Sequence, residues 1–236
     1  IIRFMATPLF VWLGSGRARR RHVPAKGQYL DQAARAGLPV PAGAILLDDL
    51  WGTFLKNNLV AISGGRAIIP DPELFHNTLF YSVRLPRFNN LVAIRAAVDG
   101  NEHPIPPCLN LDMNDTPRAT SALAEVWTAI LSAGSERMDI LVMDMIHPCH
   151  SGTAISLQEA GEDEVIPSAP EDKGMLLSRS SRQHSAEYML PDYARRLRLL
   201  LRGTRRTFGK GDWRIDWLDD GRICYLIQIK PMAITE

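Results

Sequence analysis

Two patterns of apolar spacing alternate along the chain. Phe10 to Leu13 is a short apolar run with the length of a buried strand. Gln28 to Ala36 has helical character and stops at Gly37, which tolerates the left-handed C′ position, before Pro39, which cannot continue a helix. Ala44 to Leu47 reads as a second strand, and Asp48 or Asp49 as the N-cap of a helix reaching about Leu55. Pro70 to Phe80 predicts a further helix capped by Asp71, and Leu91 to Ile94 a buried strand that delivers Arg95 at its end. Asp99 to Pro107, rich in Gly, Asn and Pro, is a loop. Leu123, Val126, Trp127 and Ile130 recur at helical spacing within Thr120 to Leu131.

A polar pause at Ser132 to Asp139 divides the chain into an N-terminal lobe, 1–135, and a C-terminal lobe, 136–236. Ile140 to Ile146 and Thr153 to Leu157 then resemble two strands joined by a loop containing His147, Pro148, Cys149, His150, Ser151 and Gly152. Arg195 to Phe208 is amphipathic: Leu197, Leu200, Leu201, Thr204 and Phe208 fall on one side and arginines on the other. The expected class is therefore α/β, in two lobes, with a C-terminal β-hairpin. No internal repeat is visible.

The last segment is the most informative. Trp213, Ile215 and Trp217 alternate with Arg214 and Asp216, while Ile223, Tyr225, Ile227 and Ile229 alternate with Cys224, Leu226, Gln228 and Lys230. A two-residue turn at Asp220-Gly221 would set Trp217 against Cys224 and split the apolar rows between the two faces. A three-residue loop of Asp219, Asp220 and Gly221, with Gly221 left-handed in a G1 bulge, pairs Trp217 with Ile223 and unites the apolar rows. The second is preferred. It leaves Arg214, Asp216, Gln228 and Lys230 on the other face.

Charge and composition narrow the class of function. The 236 residues are 46% hydrophobic and 22% charged with a formal net charge of +1, as in ordinary globular chains and without a global field for nucleic acid or membrane. Basic residues cluster locally at Arg17, Arg19, Arg20 and Arg21 and again at Arg195, Arg196, Arg198, Arg202, Arg205 and Arg206. The second cluster lacks interleaved aromatics, which argues for a charged outer face or a protein contact and against nucleic acid. Cys108, Cys149 and Cys224 are too few and scattered for a disulfide framework and favour a reducing compartment, cytoplasm or organelle matrix. The longest apolar run, near Pro8 to Gly14, falls well short of the roughly 20 residues of a membrane span. The first residue is Ile, so a removed targeting peptide stays open.

Four landmarks in order carry a family resemblance. They are Pro24-Ala25-Lys26-Gly27 with Gly37-Leu38-Pro39-Val40-Pro41-Ala42-Gly43; Val92-Ala93-Ile94-Arg95-Ala96-Ala97; Val142-Met143-Asp144-Met145-Ile146 with Ser151-Gly152-Thr153; and Arg214-Ile215-Asp216-Trp217 with Ile227-Gln228-Ile229-Lys230-Pro231-Met232. Together they resemble the nucleotide-binding domain of phosphoenolpyruvate synthase and pyruvate phosphate dikinase, within the ATP-grasp superfamily. The resemblance implies a two-lobed ATP-grasp-like fold with mixed sheets, and ATP and Mg²⁺ as cofactors of a functional cleft. It makes Lys26, Arg95 and Gln228 nucleotide contacts, Arg95 and Lys230 catalytic groups at the phosphates, and Asp216 and Gln228 metal ligands. It also implies a protein partner, either a histidine-bearing phosphotransfer domain or a larger complex, because the chain ends at the hairpin.

The departures from the family pattern bear on activity. Glycines expected before the lysine are Pro24 and Ala25, and serines expected after Arg95 are Ala96 and Ala97. The first hairpin acid is Arg214, the next is shortened to Asp216, and the family arginine is Lys230. Where the family has an acid in a V-I-E-A stretch, the match Val165-Ile166-Pro167-Ser168 has Pro167, and the glycine-rich turn that follows is the charged Pro170-Glu171-Asp172-Lys173. Losing anions and gaining a cation opposes Mg-ATP chemistry, so the expected role is a catalytically impaired structural or regulatory subunit, with an active phosphotransferase half as the alternative. Plainer readings stand beside each site. Lys26 also suits a solvated turn, Arg95 a salt bridge, and Asp216 with Gln228 the wet face of a hairpin. His147, Cys149 and His150 invite zinc, but three ligands in one tight loop favour a simple hairpin connection. Trp51, Trp127, Trp213 and Trp217 read as core.

Overall fold

The structure, a computed structural model, describes residues 8–98, 105–170, 173–179, 190–209 and 211–232. Most of the expected 99–107 loop lies outside them. The chain divides into two compact units, 1–28 with 42–145 and 29–41 with 146–236.

The first unit is built on a five-stranded sheet of order β1-β2-β7-β5-β6, from β1 (Phe10–Trp12), β2 (Gly43–Leu46), β5 (Val92–Ala96), β6 (Cys108–Leu111) and β7 (Ile140–Asp144). A separate hairpin pairs β3 (Ala61–Ser63) with β4 (Arg66–Ile68). Helix α2 (Asp48–Lys56), α3 (Pro72–Asn77) and α4 (Thr116–Ser132) supply the rest. Its core contains Trp127, fully buried, whose indole N–H donates to the Met138 carbonyl at 3.1 Å, and around it Trp51, Phe54 and Phe75 at ring separations of 5.0 to 6.1 Å. Asp71 caps α3 as expected, accepting from the Leu74 amide at 2.9 Å. Helix α2 begins differently. Leu47 is its N-cap with no side-chain bond, and Asp48 instead accepts from the Met138 amide while its own amide donates to Asp139.

That exchange moves the division of the chain. The polar stretch before β7 is fastened into the first unit: Asp139, fully buried, is held by Arg137 and by the Asp48 amide, and its carbonyl accepts from Ala97. The expected boundary at 135/136 therefore falls inside a packed corner, and the units part after Met145.

The second unit has a five-stranded sheet of order β10-β9-β8-β11-β12, comprising β8 (His150–Ser156), β9 (Glu162–Pro167), β10 (Met175–Ser178), β11 (Trp213–Asp219) and β12 (Cys224–Pro231). Helix α5 (Asp192–Phe208) covers one face, burying Tyr193, Leu197, Leu200 and Leu201 while Trp213, Ile215, Trp217, Leu226 and Ile229 are buried on the strands. Every pairing among the described strands is antiparallel, where mixed sheets are the expectation from sequence. β7 and β8 are not a hairpin: they belong to different sheets, and the intervening histidine–cysteine loop connects the two units.

Helix α1 (Ala25–Arg35) ends in a Schellman motif at Gly37 (φ +81°), with Gly37 and Leu38 amides donating to the Ala34 and Ala33 carbonyls at 3.0 Å. Leu38 packs so closely on Gly203 that a methyl there would sit 2.5 Å from Leu38 Cδ2. The Pro39 carbonyl accepts from the Leu226 amide at 2.8 Å, covering part of the β12 edge. The Leu-Pro-Val-Pro turn thus has a packing reason inside this unit.

The C-terminal hairpin differs from the expected G1 bulge. Asp219 pairs with Cys224, so the loop runs from Asp220 to Ile223, and the register shifts between Asp216 and Trp217 on β11 so that Ile227 is the extra residue on β12. Asp220 closes the loop by accepting from Arg222 and Ile223 amides at 2.8 and 2.7 Å. Asp219 stays in the strand because its carboxylate is drawn inward. As a result Cys224, Leu226 and Ile229 face the core with the tryptophans, while Ile223, Tyr225 and Ile227 turn away from it.

Candidate functional site

The bulge at Ile227 has a chemical consequence. It restores the phase of the last four residues of β12, so that Asp216 pairs with Gln228 and Arg214 with Lys230, and all four project from the face opposite the core. Across the other edge of β11, Asp216 pairs with Thr153, whose hydroxyl donates to Asp216 Oδ1 at 2.9 Å. Arg214 Nε lies 3.8 Å from the same oxygen. Arg214 is about half exposed (48%) and Asp216 35%, so the group is wet and reachable. One row of the sheet thus carries Gln228, Asp216 and Thr153, and the neighbouring row Lys230 and Arg214. Thr153 is a member that sequence reasoning missed, since strand pairing alone brings it beside Asp216.

In the first unit, Lys26 sits in the first turn of α1, not in an open loop, and its ammonium donates to the Ala96 carbonyl at 2.9 Å. Arg95 lies one residue earlier, half-buried inside β5 rather than beyond its end. The structure therefore brings the lysine to the end of the arginine's strand. Gly27 lies in close packing: a Cβ there would approach Val23 Cγ1 to 2.6 Å and Ile45 Cδ1 to 3.2 Å, both side-chain atoms. Pro24 and Ala25 line a cavity of about 610 Å³ with His22, Gln28, Ser135 and Arg137.

Mg²⁺ takes near-octahedral oxygen ligation with one or two carboxylates. The hairpin face offers a single carboxylate, with one oxygen already accepting from Thr153 and close to a guanidinium, and two cations beside it. This donor set does not fit Mg²⁺. Among the described residues no group of three His, Cys, Asp or Glu gathers for any metal. His147 and Cys149 are exposed, while His150, the first residue of β8, stacks on Tyr193 at 4.3 Å, which stacks on Trp217 at 5.8 Å.

The arginine helix is not simply a charged outer face. Arg196 makes a two-point contact with the fully buried Asp219 (2.7 Å each), whose Oδ1 also accepts from Gly221 N. Arg205 joins Arg179 on buried Asp163, with Ser156 Oγ accepting from both arginines. Two of the arginines therefore pin α5 to the sheet. Burial pushes the Cys224 thiol, close to Asp219, up to about 12, so it is not a nucleophile. No helix among the described residues is long and apolar enough to cross a membrane.

No protein-family model matches the chain, and no curated protein does. Among solved structures it is similar to the D-alanine–D-alanine ligase from Bacillus anthracis, at 11% identity and a TM-score of 0.48 over 93% of this chain and 58% of that one. It is also similar to a RimK domain ATP-grasp protein from Sphaerobacter thermophilus, at 11% and 0.46 over 93% and 62%. A third is the ATP-grasp ligase PsnB, at 12% and 0.43 over 95% and 56%. The chain spans about three fifths of the length of these proteins. At such scores they assign it neither family nor activity.

Proposed function

We propose that this chain is a divergent ATP-grasp-like nucleotide domain, of the kind that opens phosphoenolpyruvate synthase and pyruvate phosphate dikinase, which has lost efficient phosphotransfer and serves as a structural or regulatory subunit of a larger assembly. The observation that carries the reading is the hairpin face. By the sequence resemblance Asp216 and Gln228 correspond to that family's metal and phosphate groups, yet Arg214 and Lys230 lie in the neighbouring row, and the set lacks the carboxylates needed to bridge a divalent ion to phosphate. The order of the four sequence landmarks supports the family part of the reading. The same reading assigns Lys26 and Arg95 of the first unit to phosphate, each as its own proposal.

Incubation with γ-labelled ATP and Mg²⁺ is expected to give neither released phosphate nor label on a histidine of any copurifying chain, while the protein purifies in a defined complex that Lys26→Ala leaves intact. Labelled phosphohistidine on a partner would refute the impaired role and establish the alternative, an active ATP-dependent half acting with a separate histidine-bearing domain. A chain that is monomeric in its native extract would refute the subunit role.

A further inference from the structure

We propose that the outward face of the β11–β12 hairpin binds the phosphates of a nucleotide as the free polyanion, with Arg214 and Lys230 in the place of a divalent cation, so that Mg²⁺ competes with the protein for the ligand. The proposal rests on the reading of this face as a nucleotide site and specifies the charged form that the site takes.

Two features converge on it, the first being the balance of charge. Arg214 and Lys230 are directly opposed across the hairpin, a like-charge pairing that costs stability unless an anion lies between or above the two groups. Asp216 is the only carboxylate in these two rows of the hairpin, and it is partly offset by Arg214 at 3.8 Å and by the Thr153 hydroxyl at 2.9 Å. The next acid along the row of Arg214 is Glu164, on the far side of Ile155 and so two strand spacings away, roughly 10 Å. The balance over the hairpin face is two cations against one anion.

The second feature is the kind of donors on offer. A guanidinium gives a planar fork that matches two phosphate oxygens, and an ammonium gives a point charge for a third. Thr153 and Gln228 lie in the adjacent row, about 7 Å along the strand, with the Thr153 hydroxyl holding Asp216 Oδ1. A metal-chelated triphosphate has much of its charge already neutralised, and its bound cation would be driven against Arg214 and Lys230. Repulsion then replaces the usual bridge.

Isothermal calorimetry on the intact chain, with ATP and separately with inorganic pyrophosphate, in EDTA and in excess Mg²⁺ at matched ionic strength, tests this. ATP is expected to bind about tenfold more tightly in EDTA than in Mg²⁺, and Lys230→Ala to weaken binding in EDTA about tenfold, the loss of one exposed charge-assisted contact. Arg214→Asp, which restores a second carboxylate two residues from Asp216, is expected to reverse the order, with tighter binding in Mg²⁺ than in EDTA; a misfolded variant would not gain this dependence. Tighter binding of ATP to the native chain in Mg²⁺, or an Arg214→Asp variant with an unchanged ratio, overturns the inference and leaves the nucleotide reading standing. Pyrophosphate binding in EDTA without ATP binding keeps the anion site and removes the nucleotide; no binding of either overturns both.

Discussion

Replacing Asp163 by Ala should be among the most damaging single changes in the second unit. The carboxylate is 1% exposed, and it accepts from Arg179 Nε and Nη2 at 2.9 and 2.6 Å and from Arg205 Nη1 at 2.5 Å. It joins β9, the end of β10 and helix α5 through one group. Removing it leaves two guanidiniums facing each other without an anion, at side-chain exposures of 17% and 24%. Breaking a buried pair costs about 3–5 kcal/mol, and partial hydration of both arginines puts this case near the lower end, about 3 kcal/mol. With a urea m-value of about 2 kcal/mol/M, the midpoint should fall by about 1.5 M, followed by fluorescence of Trp213 and Trp217. The control is a triple variant, Asp163→Ala with Arg179→Met and Arg205→Met, in which no charge is stranded; it should recover at least half of the loss. A single variant within about 0.5 kcal/mol of the parent, or a triple variant as weak as the single, would refute the account of Asp163 as the tie between helix and sheet.

Other expectations are briefer. Burial raises the Cys224 thiol to about 12, above the ordinary thiol value of 9.0. Its stability contribution is therefore complete below about pH 9 and is lost as pH rises toward about 12. Cys224→Val should flatten that alkaline decline in urea midpoints, and an unchanged slope would show that another group is responsible. Gly152→Ala should cost more than Gly27→Ala: the first methyl meets backbone at 2.4 Å (Ile166 O) and 2.9 Å (Pro167 Cα), the second the side chain of Val23 at 2.6 Å, which can shift. Values of about 3 and about 1 kcal/mol are expected from thermal unfolding, and equal losses would contradict the difference in compliance. Trp127→Phe should cost about 2 kcal/mol through the lost Met138 hydrogen bond and the vacated volume, read from the same measurement.

Much of this architecture is legible in local sequence because local physics decides it. Gly37 ends α1 since the left-handed position tolerates glycine, Asp71 caps α3 through an amide three residues away, and the leucine stripe of α5 faces the sheet because the 3.6-residue period allows no other arrangement. The polar row of the hairpin is legible too, since alternate strand residues must share a face.

The remainder depends on groups that meet only after folding. Whether Asp219 belongs to a turn or to a strand is decided by Arg196 on α5, and that choice forces the loop at Asp220 to Ile223 and the bulge at Ile227. Local alternation favours the register that unites Ile223 and Ile227 with the tryptophans, whereas the folded hairpin buries Cys224 and Leu226 beside them instead. Likewise, hydrophobicity marks β7 and β8 as strands without saying that they join different sheets. Periodicity puts Arg196 and Arg205 near solvent, whereas buried Asp219 and Asp163 claim them. Thr153 reaches Asp216 only because β8 pairs with β11 in that register. Sequence alone determined which residues can share a helix face or a strand face, because those relations span a few residues; tertiary structure decided which charges neutralise one another, because each such pair is set by the register and docking of elements far apart in the chain.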